Sequence, residues 1–185
     1  MTLPNIGLIG KLRSGKDTAA AYLAHKYGYM RFAFGNELKR YAHELFGEPL
    51  PGTKPRELYQ WFGQAMRERD PEIWVRKCFE RVEYVQEEYG ISTVITDCRQ
   101  PNEFSALQSA GYVLIRVEAP ESLRIQRAVE SGDSFALRDL THGTETALDG
   151  YIADFTVQND AGLPELHAQV DDIMRYLAIG DGRAA

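Results

Sequence analysis

The sequence predicts an α/β fold of three layers, a parallel sheet flanked by helices. Three observations carry this. Short apolar runs of strand length alternate with longer stretches whose apolar residues recur at helical spacing, the order expected of β-α-β crossovers. The first apolar run, Ile6 to Ile9, passes through a glycine-bounded loop, Gly10-Lys11-Leu12-Arg13-Ser14-Gly15-Lys16-Asp17-Thr18, straight into an alanine-rich helix. The chain has 185 residues, enough for one sizeable domain and short for two.

Each element has its own signal. Ile6–Ile9 reads as a strand buried on both faces. Residues 15–27 form the first helix, which Gly28 ends. Met30–Phe34 is a short second strand. Asn36 caps a helix with Leu38, Tyr41, Ala42 and Leu45 on one stripe. Gly47-Glu48-Pro49-Leu50-Pro51-Gly52 is loop, and Pro55 opens a helix carrying Leu58, Trp61, Phe62 and Met66. Asp70-Pro71 restarts helix, striped by Trp74, Cys78, Phe79, Val82 and Val85 and stopped by Gly90. Ser92–Asp97 is a strong strand, Pro101 to Ala110 a helix, Tyr112–Val117 a strand and Glu121–Val129 a short helix. Residues 130–150 are polar and irregular; Phe155–Gln158 is the last strand and Pro164–Ile179 the last helix. No repeat or low-complexity linker divides the chain.

Composition excludes several classes. No apolar run reaches roughly 18 residues, so no membrane span is expected. Met1-Thr2-Leu3-Pro4 has neither a basic segment nor an apolar core, so no secretory signal is expected. Cys78 and Cys98 lack metal-like spacing and read as reduced thiols of a cytoplasmic protein. A net charge of -6 argues against nucleic-acid binding.

The glycine-bounded loop has specific chemistry. Gly10 and Gly15 allow backbone angles that a side chain forbids, so successive N–H groups can turn inward on phosphate oxygens. The helix that follows adds unpaired N–H groups and its positive dipole end. Arg13 and Ser14 contribute from within the loop. Lys16 places a point charge at the β/γ bridge of a nucleoside triphosphate, where charge develops as a phosphoryl group leaves. The usual Ser or Thr after the lysine is replaced by Asp17, a hard-cation ligand, and Thr18 follows to meet the α-phosphate. A nucleotide's phosphate chain with Mg²⁺ is therefore the expected ligand of this loop.

In a parallel sheet, ligands bind at the carboxyl ends of strands, which puts Gly10–Thr18, Asp97–Arg99 and Asn159–Asp160 along one edge. Asp97 closes its strand where an acidic residue reaches Mg²⁺ beside a phosphate loop; a turn or capping aspartate is the alternative. Arg99 either forks an acceptor phosphate or pairs with Glu103. Arg124, Arg127 and Arg138 are candidates for a short closing lid over the migrating group, Arg127 ahead of Arg124, or they are solvated helix-face arginines. Lys16, Arg127 and Arg99 are the catalytic candidates. Lys39, Gln64, Trp74, Arg99 and Arg138 are the acceptor-binding candidates, with most aromatics here expected in the core.

These motifs resemble the bacteriophage-type deoxynucleoside monophosphate kinases of the wider nucleoside monophosphate kinase group. The likeness runs nearly end to end. It rests on Gly-Lys-Leu-Arg-Ser-Gly-Lys-Asp-Thr at 10–18, Gly35-Asn36-Glu37-Leu38-Lys39, Gln64-Ala65-Met66, Asp70-Pro71-Glu72-Ile73-Trp74-Val75-Arg76-Lys77, and Thr96-Asp97-Cys98-Arg99-Gln100-Pro101-Asn102-Glu103. His142-Gly143-Thr144-Glu145 and Val157-Gln158-Asn159-Asp160-Ala161-Gly162 add to it. The resemblance implies a single P-loop kinase domain over 1–185, with an acceptor-binding helical region at about 35–90 and a lid at about 124–150. It implies ATP and Mg²⁺, a (deoxy)nucleoside 5′-monophosphate acceptor, Asn159 and Asp160 near the adenine, and His142 and Glu145 in the closing segment. Small-molecule nucleotides are the expected partners, with no nucleic acid or membrane, and a homodimer is compatible. The Lys-Asp pairing also resembles animal phosphomevalonate kinases. A kinase of another phosphorylated metabolite, phosphomevalonate or dephospho-coenzyme A, and a nucleotide-binding regulatory ATPase module are the alternatives.

Overall fold

A computed structural model describes residues 3–53, 55–131 and 146–180. The elements are β1 (Ile6–Ile9), α1 (Lys16–Tyr27), β2 (Met30–Phe32), α2 (Phe34–Phe46), α3 (Arg56–Arg69), α4 (Ile73–Tyr89), β3 (Thr93–Cys98), α5 (Pro101–Ser109), β4 (Val113–Glu118), α6 (Glu121–Glu130), β5 (Phe155–Gln158) and α7 (Leu163–Gly180). They fall into two compact units, one of residues 1–31 and 91–185 and one of Phe32–Gly90.

The first unit holds the sheet, in the order β2-β3-β1-β4-β5. β1 pairs parallel with β3 and β4, and β4 pairs parallel with β5. β1 is buried at every position, the reason its residues run continuously apolar rather than alternating. One face of the sheet is covered by α1 and α7. Ala19, Ala20 and Leu23 of α1 and Leu166, Val170, Ile173 and Met174 of α7 share a core with Ile6, Leu8, Val94, Ile115, Val117 and Val157. The small alanines let α1 lie close to the strands.

A polar staple ties α1 to α7. Asp171 accepts hydrogen bonds from Tyr22 (2.9 Å), Lys26 (2.7 Å) and Tyr27 (2.7 Å), and Tyr22 stacks on His167 at 3.8 Å. Burial alone would raise the Asp171 carboxyl; the donors from Lys26, Tyr27 and Tyr22 overcome it and hold the pKa down to about 2. Burial and the bond to Asp171 push the Tyr27 phenol up to about 12. Because the folded-state value of Asp171 lies below its unfolded value, its contribution is complete above about pH 4 and disappears as pH falls through about 2. Asp171→Asn should therefore lower Tm by a few degrees at pH 7, and the gap from wild type should close towards pH 2. A gap that does not shrink on acidification would show that the carboxylate charge is not what matters.

The second unit packs α2, α3 and α4 around Leu38, Ala42, Phe62 and Trp74, with Tyr41, Tyr59, Met66 and Ile73 against them. Two expected boundaries shift. β2 ends at Phe32 and α2 begins at Phe34, with Ala33 rather than Asn36 at its N-cap, because Phe34 is drawn into the core as the first helical residue. α4 starts at Ile73; Asp70 instead closes the preceding turn, accepting from the Glu72 N–H at 3.1 Å and pairing with Arg76 at 2.6 Å.

Candidate active site

The parallel strands bring the loop after β1, the end of β3, the β4–α6 turn and the residue after β5 to one edge of the first unit. Ser14 and Asn159, which meet there, lie 145 residues apart in sequence.

The loop is shaped by two glycines that nothing else could replace. Gly10 has φ +142, and a Cβ there would lie 2.3 Å from the Val117 carbonyl oxygen. Gly15 has φ +107 and serves as the N-cap of α1, where a Cβ would lie 2.0 Å from Asn159 Nδ2. Arg13 also takes positive φ, +62. Lys16 is buried to 7 % exposure, and its ammonium curls back over the loop to donate to Gly10 O (2.6 Å) and Lys11 O (2.9 Å). The Ser14 hydroxyl is buried and has no hydrogen-bond partner among the described atoms. The N–H groups opening α1 have no partner within the helix, as in any first turn. A narrow glycine-defined ring around a buried ammonium, at a helix N-terminus, fits a polyphosphate chain.

The carboxylates fit a divalent cation shared with phosphates. Asp97 is half-buried near the end of β3, and Asp17 sits on the first turn of α1 with its carboxylate 85 % exposed, 3.4 Å from Arg31. Among the described residues no three His, Cys, Asp or Glu side chains form a metal cluster. One or two carboxylates completed by water and phosphate oxygens is the pattern Mg²⁺ favours. Asp17 would have to leave Arg31 to join it. Cys98 is free, and burial raises its thiol far above the ordinary range, with Glu103 and Asp97 adding to the shift, so it is inert as a nucleophile.

Arg99 leaves β3 beside Asp97. Glu103, buried on α5, accepts from the backbone N–H of Arg99 (2.8 Å) and of Gln100 (3.0 Å) in a capping box that orders this turn. Thr18 is half-buried on the first turn of α1, and Asp160 is exposed just after Asn159. In the second unit Lys39 and Gln64 are exposed on α2 and α3. Trp74 is a packing residue there: it is 3 % exposed, its ring lies against Phe62, and its N–H donates to Gly63 O at 3.2 Å. Arg138, His142 and Glu145, with most of the expected lid, lie outside the described residues.

The structure adds contacts that motif reading did not foresee. A cavity of about 570 Å³ opens beside the loop, lined by Lys11, Ser14, Arg116, Arg124 and Gln158 among others. Its cations have protein partners: Lys11 with Asp149 at 2.9 Å, Arg116 with Leu148 O (2.9 Å) and Tyr151 O (2.6 Å), Arg124 with Leu12 O at 3.3 Å. Arg127 donates to Arg13 O (3.4 Å), Asn159 O (3.0 Å) and Asn159 Oδ1 (3.2 Å). The pairings of Lys11 with Asp149 and of Arg116 with the Leu148 and Tyr151 carbonyls had no signal in the sequence, because they span 32 to 138 residues.

No known protein-family profile matches the chain. A protein of Acanthamoeba polyphaga mimivirus named "Putative deoxynucleotide monophosphate kinase" is 25% identical over 200 residues, covering 89% of this chain and 93% of that protein. The structure of shikimate kinase from Acinetobacter baumannii superposes with a TM-score of 0.58 at 18% identity, over 97% of this chain and 95% of its own. A gluconokinase from Sinorhizobium meliloti 1021 superposes with a TM-score of 0.63, also at 18% identity, over 97% of both chains. At that identity the likeness concerns the fold: this chain has the α/β P-loop kinase fold. Among the described residues no helix is long and apolar enough to cross a membrane.

Proposed function

We propose that this protein transfers the terminal phosphoryl group of ATP to the phosphate of a (deoxy)nucleoside 5′-monophosphate, giving ADP and the nucleoside diphosphate. The observation that carries the reading is the loop: two glycines at obligatory positive φ, with the buried Lys16 ammonium folded over the ring they make. The name of the mimivirus relative points to the same acceptor class.

When bound, ATP·Mg²⁺ supplies the phosphoryl group and a divalent charge across its phosphates. The chain's own part is binding and charge placement. The loop N–H groups and the start of α1 hold the phosphate chain. Lys16 exchanges the Gly10 and Lys11 carbonyls for phosphate oxygens and meets the charge that builds during transfer. Asp17 and Asp97 would hold the Mg²⁺ that accompanies the phosphates. An acceptor oxygen attacks the γ-phosphorus while the bond to the ADP oxygen breaks. No general base is needed, because a phosphate monoester is already an anionic nucleophile. Arg99, with its capped turn beside Asp97, grips the acceptor phosphate.

The test is ADP release with ATP·Mg²⁺ against a panel of NMPs, dNMPs and phosphorylated metabolites. Turnover confined to nucleotides is expected. Turnover only with a non-nucleotide phosphate would replace the acceptor class, and none with any acceptor would sink the kinase reading.

Arg99→Lys separates the roles open to that residue. A planar fork suits a phosphate monoester better than an ammonium does. The acceptor KM should rise by about tenfold, with the ATP KM little changed. Unchanged acceptor kinetics would leave Arg99 a structural residue of the turn that Glu103 caps.

A further inference from the structure

We propose that Arg124, Arg127 and Asn159 form an outer belt that shapes the phosphate loop by gripping its carbonyls, so that Arg127 and Asn159 are positioning residues rather than nucleotide contacts. This rests on the reading that the loop holds a phosphate chain, and it deepens that reading.

Every carbonyl from position 10 to position 14 has a side-chain donor. Lys16 takes Gly10 O and Lys11 O from inside the ring. Arg124 takes Leu12 O at 3.3 Å, Arg127 takes Arg13 O at 3.4 Å, and Asn159 takes Ser14 O at 2.7 Å. The last three come from α6 and from the end of β5, outside the loop. A trans peptide sets its C=O and the following N–H on opposite sides. Holding Ser14 O outward therefore directs the Gly15 N–H into the ring.

Asn159 is the keystone. It is 6 % exposed, and its polar groups are engaged with protein. Its N–H donates to Glu118 O at 2.7 Å, its Nδ2 to Ser14 O, and both its oxygens receive Arg127. So buried and so engaged, the amide has little surface left to offer an adenine edge. The amide also closes the space over Gly15, where a Cβ would lie 2.0 Å from Nδ2. Arg13, the only non-glycine residue with positive φ among the described residues, has its carbonyl held by Arg127. Such conformations persist only where the surroundings over-determine them.

Inorganic tripolyphosphate, which has no base, separates a belt from a base contact; ADP binding runs alongside. Asn159→Ala changes no charge, and Arg127→Lys keeps the charge but loses the fork. Each should weaken tripolyphosphate and ADP by the same factor, about tenfold for a lost buried hydrogen bond. The double variant should lose less than the two single losses combined, because Arg127 holds Asn159 as well as Arg13 O. Calorimetry gives the affinities, and thermal melts in anion-free buffer establish that each variant is folded. Loss of ADP with unchanged tripolyphosphate would overturn the belt in favour of base recognition. Additive losses would overturn it in favour of separate phosphate contacts. Wild-type protein that binds neither ligand would overturn both the belt and the kinase reading, whereas tight binding without turnover would remove the kinase reading alone.

Discussion

Lys16→Ala is expected to lower phosphoryl-transfer turnover by roughly a hundredfold or more, the usual loss when a preorganised donor to developing charge is removed. Its ammonium is buried and already held over the ring by Gly10 O and Lys11 O, where phosphate oxygens can take the place of those carbonyls. The fold should survive, since the β1, β3 and β4 core does not depend on Nζ. Steady-state turnover with saturating ATP, beside a thermal melt, measures both. Turnover within about threefold of wild type, in a folded protein, would remove Lys16 from the chemistry and with it the proposed role of the loop.

Gly15→Ala is expected to be as damaging by a different route. At φ +107 an L side chain is strained wherever there is room, and here there is none: the new Cβ meets Asn159 Nδ2 at 2.0 Å. Asn159 has nowhere to retreat, being held by Glu118 O, Ser14 O and Arg127. Strain and overpacking together should lower stability by roughly 2–4 kcal/mol and abolish tripolyphosphate binding. Gly28→Ala is the control. It also has positive φ, +75, at the C-cap of α1, but a Cβ there meets nothing within 4 Å. It should lose only about 1–2 kcal/mol of backbone strain and keep anion binding intact. Equal effects at the two glycines, by denaturant melts and calorimetry, would show that crowding by Asn159 is not what makes Gly15 obligatory.

The order of elements was legible because its signals are local. Apolar runs of strand length, alanine and apolar spacing near 3.6 residues, and glycines at helix ends predicted β1 to β5 and α1 to α7 in their order. The boundaries moved where burial overrode a capping rule, as at Asn36, where Phe34 entered the core first and began the helix early. The phosphate loop was legible for the same reason: glycines, lysine, strand and helix are contiguous, so spacing alone carries the geometry.

What the sequence by itself determined is therefore the α/β P-loop kinase fold and the residues of the loop, both functions of short-range pattern. The tertiary structure decided what surrounds the loop. It put Asn159 against Ser14 across 145 residues, turned Arg127 onto Asn159 and Arg13, tied Lys11 to Asp149, and buried Trp74 in the core of the helical unit. None of these pairings has a spacing to read. Each exists because parallel strands deliver distant carboxyl ends to one edge, or because three amphipathic helices close on one another, and only then do the side chains find which carbonyl or ring lies within reach.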